Sequence, residues 1–221
     1  MKYIIDLINQ VWDTTYTPEQ QASLGLVFDV NDSETSNNGL IAVKGDTAYV
    51  AFRGTVMNKQ NILEDLFEFP LKRTRADFEY HAGFYFAYSN LRTAILDKLK
   101  TLDVKHIIVL GHSLGAAMAG ICAIDLIQQG FDVSEVYWLA CPKFVNRKGM
   151  HFLKTRTKIN SFINGNDAIW FVAPFLRRGK TKRIGKRLWW KPASFCDHLL
   201  IDGPHNQGYI SSIKQYFGDK Y

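Results

Sequence analysis

Residues 106–129 read HIIVLGHSLGAAMAGICAIDLIQQ, and this stretch decides the fold. His106–Leu110 is a short apolar run rich in β-branched residues, the pattern of a buried parallel strand. Residues 116–129 are apolar on nearly every face and are predicted to form a buried helix. Between the two stands Gly111-His112-Ser113-Leu114-Gly115, a G-x-S-x-G at the point where strand hands over to helix. A serine on so sharp a turn holds a strained backbone, and side chains two residues either side of it would clash. Such a turn projects the hydroxyl above the sheet edge. The helix N-terminus then aims backbone N–H groups at a developing oxyanion.

The flanking sequence repeats the alternation. VYWLA (136–140) and INSFI (159–163) are strand-like, with a predicted helix at 146–155 between them. The chain closes with strand-like HLLI (198–201) and a predicted helix at 206–217. Upstream, residues 83–100 place Phe84, Ala87, Leu91, Ile95 and Leu99 on one helical face. Leu40–Lys44 and Thr47–Phe52 flank a Gly45-Asp46 turn and predict a β-hairpin. Residues 31–39, NDSETSNNG, read as one polar loop. Near the N-terminus, Ile4, Ile5, Ile8, Val11 and Trp12 have helical spacing. Strands alternating with helices imply an α/β fold with a mostly parallel central sheet flanked by helices, to which the hairpin adds antiparallel strands.

Composition bounds the reading. The 221 residues are 47% apolar and 22% charged, which fits one globular domain spanning 1–221 and excludes a disordered, collagen-like or coiled-coil chain. A chain of this length buries roughly 70% of its unfolded surface and needs no disulfide or metal staple. Cys122, Cys141 and Cys196 cannot all pair and form no C-x-x-C, so neither a disulfide framework nor a zinc site is suggested. There is no run of 18 apolar residues. The opening MKYIIDLINQVWD is interrupted by Asp6 and followed by no small-residue cleavage site, so the expected location is cytoplasmic.

A nucleophilic serine needs a base, and the base needs an orienting acid. In the α/β-hydrolase order these follow as Ser, then Asp or Glu, then His. Asp167 lies in the loop NGND after INSFI, at a strand's C-terminal end where active-site loops gather. Asp197 and Asp202 flank the last strand and rank behind it; Asp125 lies inside the buried helix. Two histidines follow Asp167. His205, in the loop after HLLI, is preferred as the base over His198, which begins that run and would point along its edge. His112 reads as a brace within the elbow, and His81, His106 and His151 read as structural or surface residues.

The ordered set of blocks resembles the class 3, or fungal-type, lipases. Ala51–Thr55 (AFRGT) is similar to that family's F-R-G-S/T strand end, and His81–Phe84 (HAGF) to its H-x-G-F helix start. Gly111–Gly115 matches its G-H-S-L-G elbow, and Cys141–Asn146 (CPKFVN) resembles its G-x-P-R-V-G-N block. Asn166-Asp167, and His205 with Tyr209, resemble its aspartate loop and final histidine segment. The resemblance implies an α/β-hydrolase that cleaves carboxylic esters, those of lipids first, with no metal or organic cofactor. It makes Ser113 the nucleophile, Asp167 the acid and His205 the base, with Thr55 and the Leu114 N–H as the oxyanion hole.

Two segments suggest substrate handling. Residues 56–71 follow the oxyanion strand, where such lipases carry a lid, and Ile62, Leu63, Leu66 and Phe67 share one helical face. Residues 177–191, RRGKTKRIGKRLWWK, hold eight of the 27 basic residues and no acidic one, leaving 19 basic against 21 acidic elsewhere. With Trp189 and Trp190 they read as a surface insertion able to touch an anionic membrane. A nucleic-acid patch is the weaker alternative. Outside the ester-hydrolase reading stand a non-catalytic binding module on a hydrolase scaffold, and a thioesterase or peptidase using the same triad.

Overall fold

The structure, a computed structural model, describes residues 1–12, 17–32, 37–54, 71–73, 78–173, 175–185, 198, 202 and 207–218. It is built on one seven-stranded sheet. Strands β1 (Leu26–Asp32), β2 (Asn37–Lys44) and β3 (Thr47–Phe52) pair antiparallel. Next in order come β6 (His106–His112), β7 (Val133–Leu139), β8 (Lys158–Asn164) and β9 (Lys182–Ile184), and from β3 onward every pairing is parallel. A separate two-stranded sheet joins β4 (Leu71–Arg73) to β5 (Glu79–His81). The helices are α1 (Lys2–Gln10), α2 (Pro18–Leu24), α3 (Ala82–Lys100), α4 (Leu114–Gln128), α5 (Arg147–Lys154) and α6 (Tyr209–Phe217).

The hairpin stands where the sequence puts it. Lys44 pairs with Thr47, so Gly45-Asp46 is a two-residue turn, and Gly45 takes φ 62, a conformation that glycine adopts without steric cost. Helix α1 buries Ile4, Ile5, Leu7 and Ile8, as its spacing predicts. The polar run 31–39 departs from expectation: Asn31 pairs with Asn38 and Asp32 with Asn37, so strands reach into it. Their ladder is a backbone property, and the Asn38 carbonyl also accepts the Arg53 N–H at 3.0 Å. Polar side chains at a sheet margin hide such pairing from a hydropathy reading.

Helix α4 carries the core. Eleven of its residues are buried, and it packs on α3, β3, β6 and β7. At Gly120 a Cβ would lie 2.2 Å from the Phe144 ring, so the helix seats on that ring only without a side chain. Its one carboxylate, Asp125, is bound by Arg92 of α3 at 2.7 and 2.9 Å and by the Tyr88 hydroxyl at 2.7 Å. Within the stretch read as a surface insertion, residues 177–185 are tied to the fold by their backbone. Arg177 exchanges backbone hydrogen bonds with Val145, and β9 adds to the sheet edge with Ile184 in the core. Arg177, Lys180, Lys182 and Arg183 are exposed and Arg178 is partly buried, while the backbone completes the sheet; residues 186–191, with Trp189 and Trp190, lie outside the described residues.

Gly120→Ala is therefore expected to cost about 1–3 kcal/mol of stability, because a methyl group overpacks a contact with no slack. Urea unfolding of the variant against the parent measures it.

Candidate active site

The parallel register sets out the site. Phe52 of β3 lies beside Gly111 of β6, so the chain leaving β3 passes directly against the elbow. Both elbow glycines are required by contact. A Cβ on Gly111 would lie 2.4 Å from the Gly115 carbonyl oxygen, and one on Gly115 would lie 2.3 Å from the Phe52 oxygen. Ser113 itself sits at φ 58, ψ −126, the strained conformation the motif implies. Its N–H donates to the Leu139 carbonyl at 2.9 Å, which pins the strain to β7.

Asp167 follows β8 and caps the short 3-10 helix Ala168–Phe171, accepting the Ile169 N–H at 2.9 Å. Its side chain is fully buried. It also accepts the Tyr209 hydroxyl at 2.6 Å, and that hydroxyl accepts the Asn164 N–H at 2.9 Å. Tyr209 is thus fixed as a donor to the carboxylate. The third partner is His198, whose Nδ1 lies 2.9 Å from Oδ2 and 3.1 Å from Oδ1. The other ring nitrogen, Nε2, is 2.7 Å from the Ser113 hydroxyl oxygen. Because the carboxylate only accepts, Nδ1–H donates to it, and the bare Nε2 of the neutral ring accepts the serine proton.

This geometry corrects the base assignment. His198, not His205, stands between Ser113 and Asp167; His205 lies outside the described residues. Residues 199–201 of the expected strand lie outside the described residues. The His198 carbonyl accepts from His112 Nε2 at 2.9 Å, and its ring packs 5.1 Å from that of His112. His112 is accordingly the brace that its place in the elbow suggested. Tyr209 was noted only as part of the final histidine segment; its role as a third donor to Asp167 is visible only in three dimensions.

The electrostatics follow from burial and partners. Burial alone raises the Asp167 carboxyl, but the His198 charge and the bonds from His198, Tyr209 and Ile169 outweigh it and hold the group below its ordinary value. Burial, and then Asp167, push the Tyr209 phenol well above its ordinary value. His112 is pushed down to about 3 by burial and by the charge of His198. It therefore stays neutral and can donate through Nε2. The buried Cys122 and Cys141 thiols are pushed up by burial and carry no thiolate chemistry.

The expected oxyanion donors are partly placed. Leu114 opens α4, so its N–H is one of the first-turn groups that have no intrahelical carbonyl to bond. Thr55 lies outside the described residues, as do Ile62, Leu63 and Leu66. Gly54, its neighbour, abuts the elbow: a Cβ there would lie 2.9 Å from the His112 oxygen and 3.3 Å from the Ser113 Cβ. Among the described residues no group of three or more His, Cys, Asp or Glu could hold a metal ion, and no helix is long and apolar enough to cross a membrane.

A serine on a strained strand-to-helix turn, bonded to a histidine that is bonded to a buried aspartate beyond a later parallel strand, defines an α/β-hydrolase-type site. The sequence model of one family, described as Lipase (class 3), matches residues 49–176. The chain belongs to the class 3 lipase family. It is 30% identical over 142 residues to a secreted mono- and diacylglycerol lipase of Malassezia globosa, covering 61% of this chain and 46% of that one. It is 28% identical over 160 residues to secreted mono- and diacylglycerol lipase A of Penicillium cyclopium, covering 69% and 52%. The chain thus spans about half the length of the curated relatives it matches. The crystal structure of the lipase from Rhizopus microsporus var. chinensis shares the fold, with TM-score 0.67 and 20% identity over 87% of this chain and 74% of that one. Both named relatives are secreted, which overturns the cytoplasmic location expected from the N-terminal sequence.

His112 generates a pH prediction. Its folded value lies near 3 against an unfolded value of about 6.5, so the unfolded chain binds the extra proton first. Stability is whole above pH of about 6.5 and is lost as pH falls toward 3, on the order of 1 kcal/mol per pH unit. His112→Gln should flatten that dependence between pH 7 and pH 4, read by urea unfolding at a series of pH values.

Proposed function

We propose that the protein is a serine hydrolase of carboxylic esters, acting on acylglycerols or related lipid esters. The observation that carries this reading is the continuous relay from Ser113 through His198 to Asp167, with contacts of 2.7 and 2.9 Å. His198 Nε2 takes the serine proton as Oγ attacks the ester carbonyl. Asp167 holds the ring in the required tautomer and stabilises the imidazolium that forms. The Leu114 N–H, with Thr55, receives the oxyanion. The imidazolium then protonates the leaving alcohol, and water, activated by the same ring, releases the acid from Ser113. Tyr209 and Ile169 leave the carboxylate fully bonded, so it turns neither away from His198 nor toward solvent.

The substrate class comes from the names of the relatives, which are mono- and diacylglycerol lipases. In this reading Ile62, Leu63 and Leu66 of the 56–71 segment cover the acyl chain, and the basic stretch with Trp189 and Trp190 approaches the lipid surface.

Ser113→Ala, His198→Ala and Asp167→Asn are expected to lower turnover of a short-chain p-nitrophenyl ester by several orders of magnitude, with circular dichroism unchanged. His205→Ala should stay within about tenfold of the parent. Activity surviving in His198→Ala but lost in His205→Ala would return the base to His205. Full activity in Ser113→Ala would remove the serine mechanism.

A further inference from the structure

The segment after Asp167 carries an arrangement that the relay does not use. Along it, Ile169, Val172 and Leu176 are each 1% exposed, whereas Phe171 is 61% and Phe175 86% exposed. Isolated exposed apolar residues are ordinary on protein surfaces. Here two phenyl rings sit within four residues of each other and alternate with three core anchors. The backbone fixes them there: Val172 N–H donates to Ile169 O at 3.2 Å and Leu176 N–H to Ala173 O at 3.1 Å. Arg177 N–H donates to Val145 O at 2.7 Å, and the Arg177 carbonyl accepts the Phe144 N–H at 3.1 Å. Turning either ring inward would pull a core anchor out.

Cations follow the rings in the chain, Arg177 and Arg178 standing two and three residues after Phe175. The Val145–Arg177 pairing brings residues 141–145 alongside 177–178, and Arg178 donates to the Cys141 carbonyl at 2.6 Å. Lys143 lies half-buried on the same strip, its amine pushed down by burial and then by Arg178 and Arg177. Residues 177–185 hold five basic residues and no acidic one. Apolar rings beside a run of cations match the chemistry of a lipid surface bearing anionic headgroups, where rings settle among acyl chains and cations meet phosphate.

We propose that Phe171 and Phe175, with Lys143 and Arg177, form a docking surface for an anionic lipid interface, placed to hold the active site against it. The biological sense of this surface rests on the lipid-ester reading. A 3-10 helix rises about 2 Å per residue, so the Phe171 backbone lies only about 8 Å along the chain from Asp167. The same rigid loop thus begins in the relay and ends in the dock.

The test uses the whole chain and mixed phosphatidylcholine–phosphatidylglycerol vesicles, with phosphatidylcholine vesicles for comparison. Co-sedimentation should favour the anionic vesicles and weaken at high salt. Phe171→Ser/Phe175→Ser should weaken binding about tenfold or more, and Phe171→Leu/Phe175→Leu should retain it. Lys143→Gln/Arg177→Gln should remove the preference for anionic vesicles. Hydrolysis of a soluble short-chain ester should stay within about twofold in all three variants, since none enters the relay. Binding by the serine pair equal to the parent overturns the proposal. So does a lipid-free dimer that the serine pair dissociates while vesicle binding is unchanged. A parent that binds vesicles but hydrolyses no ester defeats the hydrolase reading and leaves the dock standing; one that hydrolyses esters but binds no vesicle does the reverse.

Discussion

Everything in this fold depends on how closely backbone meets backbone at Gly115. A side chain there would run into the Phe52 carbonyl, so β3, the elbow and the first turn of α4 meet without intervening atoms. That contact places the exit of β3 beside Ser113 and the N–H of Leu114 at the open end of α4. The left-handed serine is affordable because its surroundings over-determine it: β7 accepts its N–H, and the Ser113 carbonyl accepts from Ala116 and Ala117. A buried helix with small residues along its length is the natural partner of such an elbow. It lets α4 approach the sheet closely, with Ser113 half-buried at the turn and the helix behind it sealed.

Asp167 shows how a buried carboxylate stays charged. Isolation from water opposes ionisation, and three donors from three parts of the chain reverse the balance. Each donor also restricts geometry. Ile169 fixes the carboxylate against its own helix, Tyr209 ties it to α6, and the remaining lobe can only face His198. Arg92 and Tyr88 satisfy Asp125 in the same manner behind α4, but there both partners come from α3 and no nucleophile is presented.

Much of this was legible in the sequence because it rests on local periodicity and on a motif whose spacing is set by sterics. The elbow, the hairpin, α3, α4 and the strand preceding Asp167 all follow from residues within about a dozen positions of one another. The base did not follow. His198 and His205 both lie downstream of Asp167, and no spacing rule separates them. His205 sits among Gly203, Pro204 and Asn206, which looks like an active-site loop, whereas His198 adjoins Leu199 and Leu200. That apolar flank reads as a strand, which points away from a base, yet His198 itself is buried between Ser113 and Asp167. The basic stretch was half legible for the complementary reason. Its charge places side chains at the surface, and the backbone hydrogen bonds of β9, which have no signature in hydropathy, add it to the sheet edge.

The bond from His112 to the carbonyl of His198 joins the residue before the nucleophile to the backbone of the base. The elbow therefore orients the serine and also holds its proton acceptor by the main chain, across 86 positions of sequence. Catalytic alignment is in this way uncoupled from the length of the segment that delivers the histidine. Insertions and deletions between β9 and His198 are therefore expected to leave the two atoms that exchange the proton in place. A lineage can remodel that stretch, or an engineer can graft onto it, and inherit the chemistry intact.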